Sequence, residues 1–341
     1  MDNKSPSPLK VTMAAVATEA GVSRATASRV FYGSTPVAEH TRQAVFAAAE
    51  RLGYVPNTMA RSLAARGSDL LGLLLRAPDN PAYGLLFSEL QAHVSAAGLQ
   101  MVTVAPSRNE GAHFERQALN RLLGLRVGGM FLATSVIRAE MLEPFLDLVP
   151  VVVVGRPESH PGIHSVSYDE DHNAELLADA VAAAGHLSAA VVVPEHSVSE
   201  HRRGMALARG LAERGVRVHR ISSPTFGSLD EGGQEIVALR RQGRITAAMF
   251  PSDWRLLTFL TLAQEAGLKV PDDLSLTGFD GIMPGIDLLG FTTVRIPVEE
   301  AARRAVEVMR TQLQERTRPQ HELLPGTLIR GRTLGPAPVL R

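Results

Sequence analysis

Two rhythms of apolar and polar positions divide this chain of 341 residues near residue 68. Ahead of that point apolar residues, many of them alanine, fall at helical intervals. A first helix is predicted from Thr12 to Ala20, a Gly21-Val22 turn follows, and a second helix starts at Ser23 and runs to Phe31. The hydroxyls of Thr12 and Ser23 suit N-caps, where they accept from backbone N–H groups that have no partner inside the helix. A third helix spans Glu39 to Leu52, with Val45, Ala48, Ala49 and Leu52 at i, i+3, i+4 and i+7 and Gly53 as its stop. Helices joined by so short a glycine turn form a helix-turn-helix unit, expected here over residues 11 to 56. The next stretch, residues 57 to 67, has helical spacing but is short, and isolated helices below ~12 residues are marginal in water. It is expected to order only when something packs against it.

From Leu70 onward short continuous apolar runs alternate with amphipathic helices. The strand candidates are Leu70 to Leu75, Met101 to Ala105, Met130 to Ala133, Val151 to Val154, Ala190 to Val193, Val216 to Ile221, Ala247 to Phe250 and Leu274 to Gly278. Between them lie helical patterns at Tyr83 to Ala97, Phe114 to Leu123, Glu175 to Ala184, Arg203 to Arg214, Leu256 to Ala266 and Glu299 to Leu313. That alternation indicates parallel sheets covered by helices on both faces. The roughly 275 residues after Arg66 are too many for one such core, so residues 68 to 341 are expected to form two doubly wound α/β lobes.

Charge sharpens the division. The whole chain is formally neutral, with 35 basic and 35 acidic side chains. Residues 1 to 66 carry eight of the basic ones (Lys4, Lys10, Arg24, Arg29, Arg42, Arg51, Arg61, Arg66) against four acidic ones (Asp2, Glu19, Glu39, Glu50), a balance of +4 that leaves −4 for the rest. A basic head on a mildly acidic body suits a chain whose N-terminal part meets a polyanion. Cysteine is absent, which excludes disulfides, thiolate metal sites and a cysteine nucleophile. Among the eleven histidines only His160 and His164 have His-x-x-x-His spacing, and Pro161-Gly162 between them do not suit the helix that would set both rings on one face; neither Gly-x-Ser-x-Gly nor Gly-x-x-x-x-Gly-Lys occurs. No metal, no cofactor and no enzymatic activity are therefore expected. No apolar run approaches the ~20 residues of a bilayer span. The segment MDNKSPSPLK lacks the apolar region of a signal peptide and reads as a disordered leader over residues 1 to 10, so a cytoplasmic location is expected.

Val11-Thr-Met-Ala-Ala-Val-Ala-Thr-Glu-Ala-Gly-Val-Ser-Arg-Ala-Thr-Ala-Ser-Arg-Val30 resembles the head of the lac repressor and galactose repressor family of transcription regulators. The resemblance continues in register through Thr41-Arg42, Leu52-Gly-Tyr-Val-Pro-Asn57, Ala60 to Ala65, Asn80-Pro81, Val149 to Arg156, Gly185-His186, Gly267-Leu-Lys-Val-Pro-Asp272, Gly278-Phe-Asp280 and Thr292-Thr-Val-Arg295. It implies a homodimer, or a tetramer built from dimers, whose heads read the major groove of a palindromic double-stranded operator. It further implies a hinge helix over 57 to 67 that enters the minor groove, and a core resembling a periplasmic sugar-binding protein, with lobe crossings near Ser167, Phe291 and Leu323. The chain departs from the pattern at Ala15, Ala27 and Ala38 in the head, at Gly128-Gly129, where the family has Asp-Gly, and at Pro251-Ser252-Asp253, where it has Ala-Asn-Asp.

The resemblance places Arg24, Ala25 and Arg29 toward the bases. An arginine fork can bond guanine O6 and N7 together, worth roughly 1 to 3 kcal/mol of discrimination. Thr12, Ser23, Thr26, Ser28 and Thr41 lie at helix starts or on the same face, where hydroxyls and helix N-termini hold phosphate; for Thr12 and Ser23 simple capping accounts equally well for the residue. In the hinge, Asn57, Ala60, Arg61 and Ala64 surround Leu63, read either as a wedge between base steps or as a packing contact on the core. Effector-binding candidates fall beyond the carboxyl ends of the strands: Arg76, Asp79, Thr134, Ser135, Arg156, Asp171, Ser252, Asp253 and Asp280. Arg203 joins them by the resemblance, with Arg202 as the alternative, and Phe226 or Trp254 could stack on a ring. The expected function is a DNA-binding regulator, a repressor, controlled by a small polar effector such as a sugar or a sugar derivative. A protein partner or a non-sugar metabolite is the alternative effector, and a solute receptor the rival class.

Overall fold

The computed structural model describes residues 11–32, 36–55, 69–106, 112–134, 136–223 and 232–338. The leader, the hinge with Asn57, Ala60, Arg61, Leu63 and Ala64, and Ser135 and Phe226 lie outside the described residues. The chain divides into two compact units, Met1–Ser68 and Asp69–Arg341.

The smaller unit contains α1 (Met13–Glu19), α2 (Arg24–Tyr32) and α3 (Glu39–Leu52). Thr12 caps α1 by accepting from the Ala15 N–H at 3.3 Å, and Ser23 accepts from the Thr26 N–H at 3.0 Å. Gly21, at φ +65°, supplies the left-handed turn between the first two helices. Val16, Ala17, Ala27, Val30, Val45, Ala48 and Ala49 form the core. Ala27 is fully buried there, so its small side chain sets how closely α2 approaches its neighbours. Ala38 makes no side-chain cap for α3, which instead begins with Glu39 in its first turn, where a negative charge is stabilised by the positive end of the helix dipole.

In the larger unit, six parallel strands run in the order β11-β5-β4-β3-β1-β2, and four in the order β7-β6-β8-β9. The first sheet comprises β1 (Leu70–Leu75), β2 (Gln100–Val104), β3 (Gly129–Ala133), β4 (Val151–Val154), β5 (His164–Tyr168) and β11 (His321–Leu324). The second comprises β6 (Ser188–Pro194), β7 (Arg217–Ser223), β8 (Ala247–Met249) and β9 (Ser275–Thr277). Alternation along each strand sends side chains to both faces. Leu71, Leu73, Leu75, Phe131, Val152 and Val154 join the core beneath α4 (Pro81–Ala96) and α12 (Val298–Gln314), while Leu74, Met130, Leu132, Val151 and Val153 join the one beneath α5 (Ala112–Gly124). Gly129, in the departing Gly128-Gly129 pair, makes room for Met309: a Cβ there would meet the Met309 sulfur.

The chain passes from the first sheet to the second after Tyr168, through α7 (Glu170–Ala183), which packs on α8 (Val198–Glu213). It returns through β10 (Thr293–Arg295) into α12, and passes over again between β11 and β12 (Thr327–Ile329), which pairs antiparallel with β10. The fully buried Asn173 accepts from the Gly326 N–H at 2.7 Å, and a Cβ at Gly326 would collide with Val294, the Arg295 carbonyl and Asn173. One asparagine and one glycine thus pin segments from all three crossings together. The shorter helices are α6 (Glu143–Leu146), α9 (Gly233–Arg241), α10 (Asp253–Glu265) and α11 (Ile286–Leu289). Among the described residues no helix is long and apolar enough to cross a membrane.

The approach of α8 to β6 depends on Gly204, where a Cβ would lie 2.7 Å from the Val192 carbonyl oxygen. Gly204→Ala should cost about 1 to 3 kcal/mol by overpacking, whereas Gly124→Ala, with nothing within 4 Å, should be neutral or slightly stabilising. Urea unfolding of both variants checks this, and equal midpoints would contradict the close contact.

Candidate functional site

Two constellations stand out, one in each unit. In the smaller unit, α2 buries Ala27 and Val30 and turns Arg24, Ala25 and Arg29 to solvent, with Ser28 between them. Other arginines of this unit are engaged: Arg42 pairs with Glu39 at 2.9 Å and Arg51 with Glu19 at 3.2 Å. Arg24 and Arg29 form no ion pair among the described residues, although the Arg29 Nε–H reaches the Ala25 carbonyl at 3.4 Å. The Ser23 and Thr26 hydroxyls lie 2.9 Å apart at the start of α2, and Thr41 sits beside His40 in the first turn of α3. The result is a helix face of un-neutralised guanidinium, hydroxyl and helix N-terminus, which suits a polyanion.

In the larger unit, the carboxyl ends of both sheets border a cavity of about 130 Å³. Of the residues expected there, Arg76, Arg203, Ser252, Trp254 and Asp280 line it. Arg203 is buried on α8; its Nε–H donates to both carboxylate oxygens of Glu170 at 2.9 Å, and its Nη1 donates to Asp280 at 2.6 Å and to the Pro251 carbonyl at 3.3 Å. The guanidinium also lies 4.4 Å from the centre of the Phe279 ring. Burial pulls its pKa down, but the two carboxylates outweigh that and hold it above the usual arginine value. Burial likewise pushes Glu170 and Asp280 up, with Arg203 offsetting part of the rise. Asp280 has φ +107°, a conformation that costs a residue with a Cβ of order 1 to 3 kcal/mol. Its N–H donates to the Val294 carbonyl, its own carbonyl accepts from Ile296, and its carboxylate binds Arg203, so surrounding bonds hold the strain in place.

The other expected residues lie elsewhere. Asp171 does not face the cavity: α7 starts at Glu170 under an Asp169 cap, so Glu170 points inward. One residue on, about 100° around the helix, Asp171 points outward to Arg202 at 3.4 Å and Arg209 at 2.7 Å. The same geometry brings Arg203, and not Arg202, to the cleft. Thr134 is buried behind Arg76, where its hydroxyl donates to Glu115 at 2.6 Å, and Arg76 itself pairs with that fully buried carboxylate at 2.7 Å. Arg156 is consumed by the Ile137 carbonyl at 2.9 Å and by Glu158 at 3.3 Å. Asp79 is exposed on the loop before α4, and its neighbour Asn80 lines the cavity while capping α4 through the Ala82 N–H.

Asp253 lies under the floor, accepting from the Gly281 N–H at 2.7 Å and packed so tightly on Gly278 that a Cβ there would overlap its carboxylate. Ser252 caps α10 by accepting from the Arg255 N–H. Sequence reasoning missed Glu170, Tyr83, Tyr168, Glu200 and Arg255 among the cavity's residues and their partners. For Glu170 a signal existed: Asp169-Glu170-Asp171 is the cap and acidic first turn that opens a helix.

Residues 12–57 match bacterial regulatory proteins of the lacI family, and residues 178–334 match a periplasmic binding protein-like domain. The chain is 31% identical over 278 residues to catabolite control protein A of Priestia megaterium, spanning 80% of this chain and 83% of that one. It is 29% identical over 300 residues to the HTH-type transcriptional regulator AscG of Escherichia coli strain K12, spanning 85% and 88%. Its fold is similar to that of a lac repressor dimer bound to operator and the anti-inducer ONPF, with a TM-score of 0.81 at 24% identity over 95% of this chain and 98% of that one. It is also similar to a transcriptional regulator CelR–cellobiose complex, with a TM-score of 0.66 at 26% identity over 95% and 100%.

Burial, and after it the charge of Asp280, push the Asp253 carboxyl up to about 8. A carboxyl whose folded pKa lies above its unfolded value of about 4 contributes stability that is complete below pH 4 and is lost as the pH rises through the folded value. Glu170 and Asp280 shift in the same direction. The free energy of unfolding should therefore fall between about pH 4 and pH 8, and Asp253→Asn should flatten that fall. Chemical denaturation across the range checks it; a parent whose stability rises over this interval would contradict the assignment.

Proposed function

This chain belongs to the lacI family of bacterial regulatory proteins, and from that premise we propose that it represses transcription by binding a palindromic operator as a homodimer, under the control of a small polar effector such as a sugar or sugar derivative. It is a DNA-binding transcription regulator, as its relatives are, and not an enzyme. The single observation that carries the proposal beyond the family is the state of charge on α2, where Arg24 and Arg29 remain exposed without an acidic partner among the described residues. Exposed guanidiniums on a helix that follows a tight turn suit the major groove. In this reading Arg24, Ala25 and Arg29 meet base edges, and Thr12, Ser23, Thr26, Ser28 and Thr41 meet phosphates.

Residues 57 to 67 act in the same reading as the hinge helix. Asn57, Ala60, Arg61 and Ala64 surround Leu63, which enters the minor groove as a wedge. The effector binds the cavity floored by Arg203 and Asp280, with Arg76 and Ser252 on its wall. Both lobes contribute to that cavity, so a ligand can favour the closed arrangement and couple to operator affinity by a typical 1 to 3 kcal/mol, roughly. A cytoplasmic location agrees with such a role.

Arg24→Ala should relax the preference at one base pair per half-site by about 1 to 3 kcal/mol while changing non-specific affinity less. Selection of binding sites from a random pool checks this, and an unaltered motif would remove Arg24 from base readout. Leu63→Ala should reduce the bend of a bound operator in a circular-permutation assay; an unchanged bend would leave the packing role instead. For the effector, a thermal-shift screen of sugars and sugar derivatives on the parent and on Arg203→Ala is the test. A stabilising ligand that shifts both equally would place the effector elsewhere.

A further inference from the structure

The cleft treats its charges unequally. Its wall carries two guanidiniums each matched to one carboxylate: Arg76 to Glu115 at 2.7 Å and Arg255 to Glu200 at 3.1 Å. Arg203 on the floor is matched to two, Glu170 and Asp280. Among the described residues three guanidiniums therefore face four carboxyl groups, one negative charge in excess when all four are ionised. A fifth carboxyl, Asp253 beneath them, adds charge of the same sign whenever it ionises. Glu170 has both oxygens on Arg203 and is buried, whereas Asp280 bonds Arg203 through one oxygen only and borders the cavity. The surplus negative charge thus sits on the side of Asp280 that a ligand can reach.

Among the described residues no guanidinium bordering the cavity lacks a carboxylate, so an anionic group entering here either shares one that is already neutralised or displaces Glu115, Glu200, Glu170 or Asp280 and leaves that carboxylate buried without a counter-charge, which is strongly unfavourable. A neutral ligand would cover Asp280 and remove its water while leaving the surplus in place. A protonated amine would neutralise it and donate charge-assisted hydrogen bonds to the open oxygen. The aromatic residues Tyr83 and Trp254 line the same cavity and favour a cation over an anion near their ring faces. Serine hydroxyls at Ser197, Ser199 and Ser252 provide partners for ligand hydroxyls.

We infer that the ligand of this cleft is an amine-bearing polyol, such as an amino sugar, whose ammonium docks on Asp280 and whose hydroxyls meet the serine-bearing wall. This rests on the reading of the cleft as the effector site. Glu170 acts in it as a positioning residue: by occupying the Nε side of Arg203 it leaves Asp280 under-compensated and open to a cation.

The test is titration calorimetry on the full chain with matched probes: glucosamine, galactosamine and mannosamine, the three parent hexoses, and their 6-phosphates. At least one amine should bind tenfold or more tighter than the hexose of the same stereochemistry, and the phosphates should bind most weakly. Glu170→Gln removes the surplus charge and should cut the amine-over-hexose ratio to below about threefold without a comparable loss of hexose affinity. A merely structural role for Glu170 would weaken both alike. Because Glu170 is buried, Asp280→Asn serves as a second variant with the same expected loss of ratio, and thermal unfolding without ligand identifies any variant that does not fold. A hexose or phosphate binding as tightly as its amine, through a cleft whose variants abolish binding, overturns the charge inference and leaves the effector site standing. Absence of binding by every probe, or binding that neither variant alters, overturns both.

Discussion

The floor of the cleft depends on one buried guanidinium. Removing Arg203 from water costs several kcal/mol, and the cost is met only because both faces of its fork are occupied by carboxylates with short, direct bonds. Its partners come from separate parts of the chain. Glu170 begins the helix that follows the first lobe crossing, Pro251 ends the strand run of β8, and Asp280 follows β9 and bridges to Arg295 at the second crossing. Glu170 and Asp280, held so close, would repel each other without the arginine between them. Loss of Arg203 would leave two buried carboxylates uncompensated, a defect typically worth about 3 to 5 kcal/mol when a buried pair is broken. Electrostatic matching and chain topology are therefore the same constraint at this point.

That constraint also explains how much of the site was legible in the sequence. Strands such as Leu70–Leu75 and Val151–Val154 were visible because both faces are buried and apolar throughout. His164–Tyr168 is equally buried, yet Ser165, Ser167 and His164 interrupt its apolar run, so no hydrophobic pattern marked it. His321–Leu324 and Thr327–Ile329 are short and half exposed, with the same consequence. Arg203 and Asp280 were found through the family pattern. Asp171 rested on the same pattern, and with the helix read only from Glu175 onward the five residues ahead of it, which fix which carboxylate points inward, had no helical phase. Buried polar residues are where local pattern fails, since their placement is decided by partners distant in sequence.

The crossings give the cleft its mechanical context. Asn173 grips Gly326, and the Asp280 backbone is bonded to Val294 and Ile296 on either side of β10. A rotation of one lobe against the other must bend these segments, and they adjoin the residues that border the cavity. Hinges of this kind are a few element-terminal positions that absorb backbone change, while the packed sheets move as bodies. A ligand on Asp280 would contact a residue whose positive φ is sustained by hydrogen bonds to the segment that crosses between the lobes. The strain at Asp280 makes the arrangement sensitive, because a change in the Arg203 contact alters how firmly that conformation is held. Differential affinity for open and closed states, the requirement for any ligand-driven shift, then needs no contact beyond the cleft.

The two units treat arginine in opposite ways, and the difference follows from what each must exclude. In the larger unit the buried guanidiniums of Arg76, Arg156, Arg203 and Arg255 are each matched to a carboxylate, because a charge withdrawn from water without a partner is untenable. In the smaller unit Arg24 and Arg29 stay in water, where an unpaired charge costs little, and they remain available to a phosphate or a base edge. Glu39 and Glu19 nevertheless neutralise Arg42 and Arg51, so among the described residues of the head the arginines without an acidic partner are the two on α2. A diffuse positive surface would bind any duplex through counterion release alone. In the reading proposed above, two guanidinium forks on one helix face add a contribution that depends on the bases beneath them to the sequence-independent attraction for phosphate.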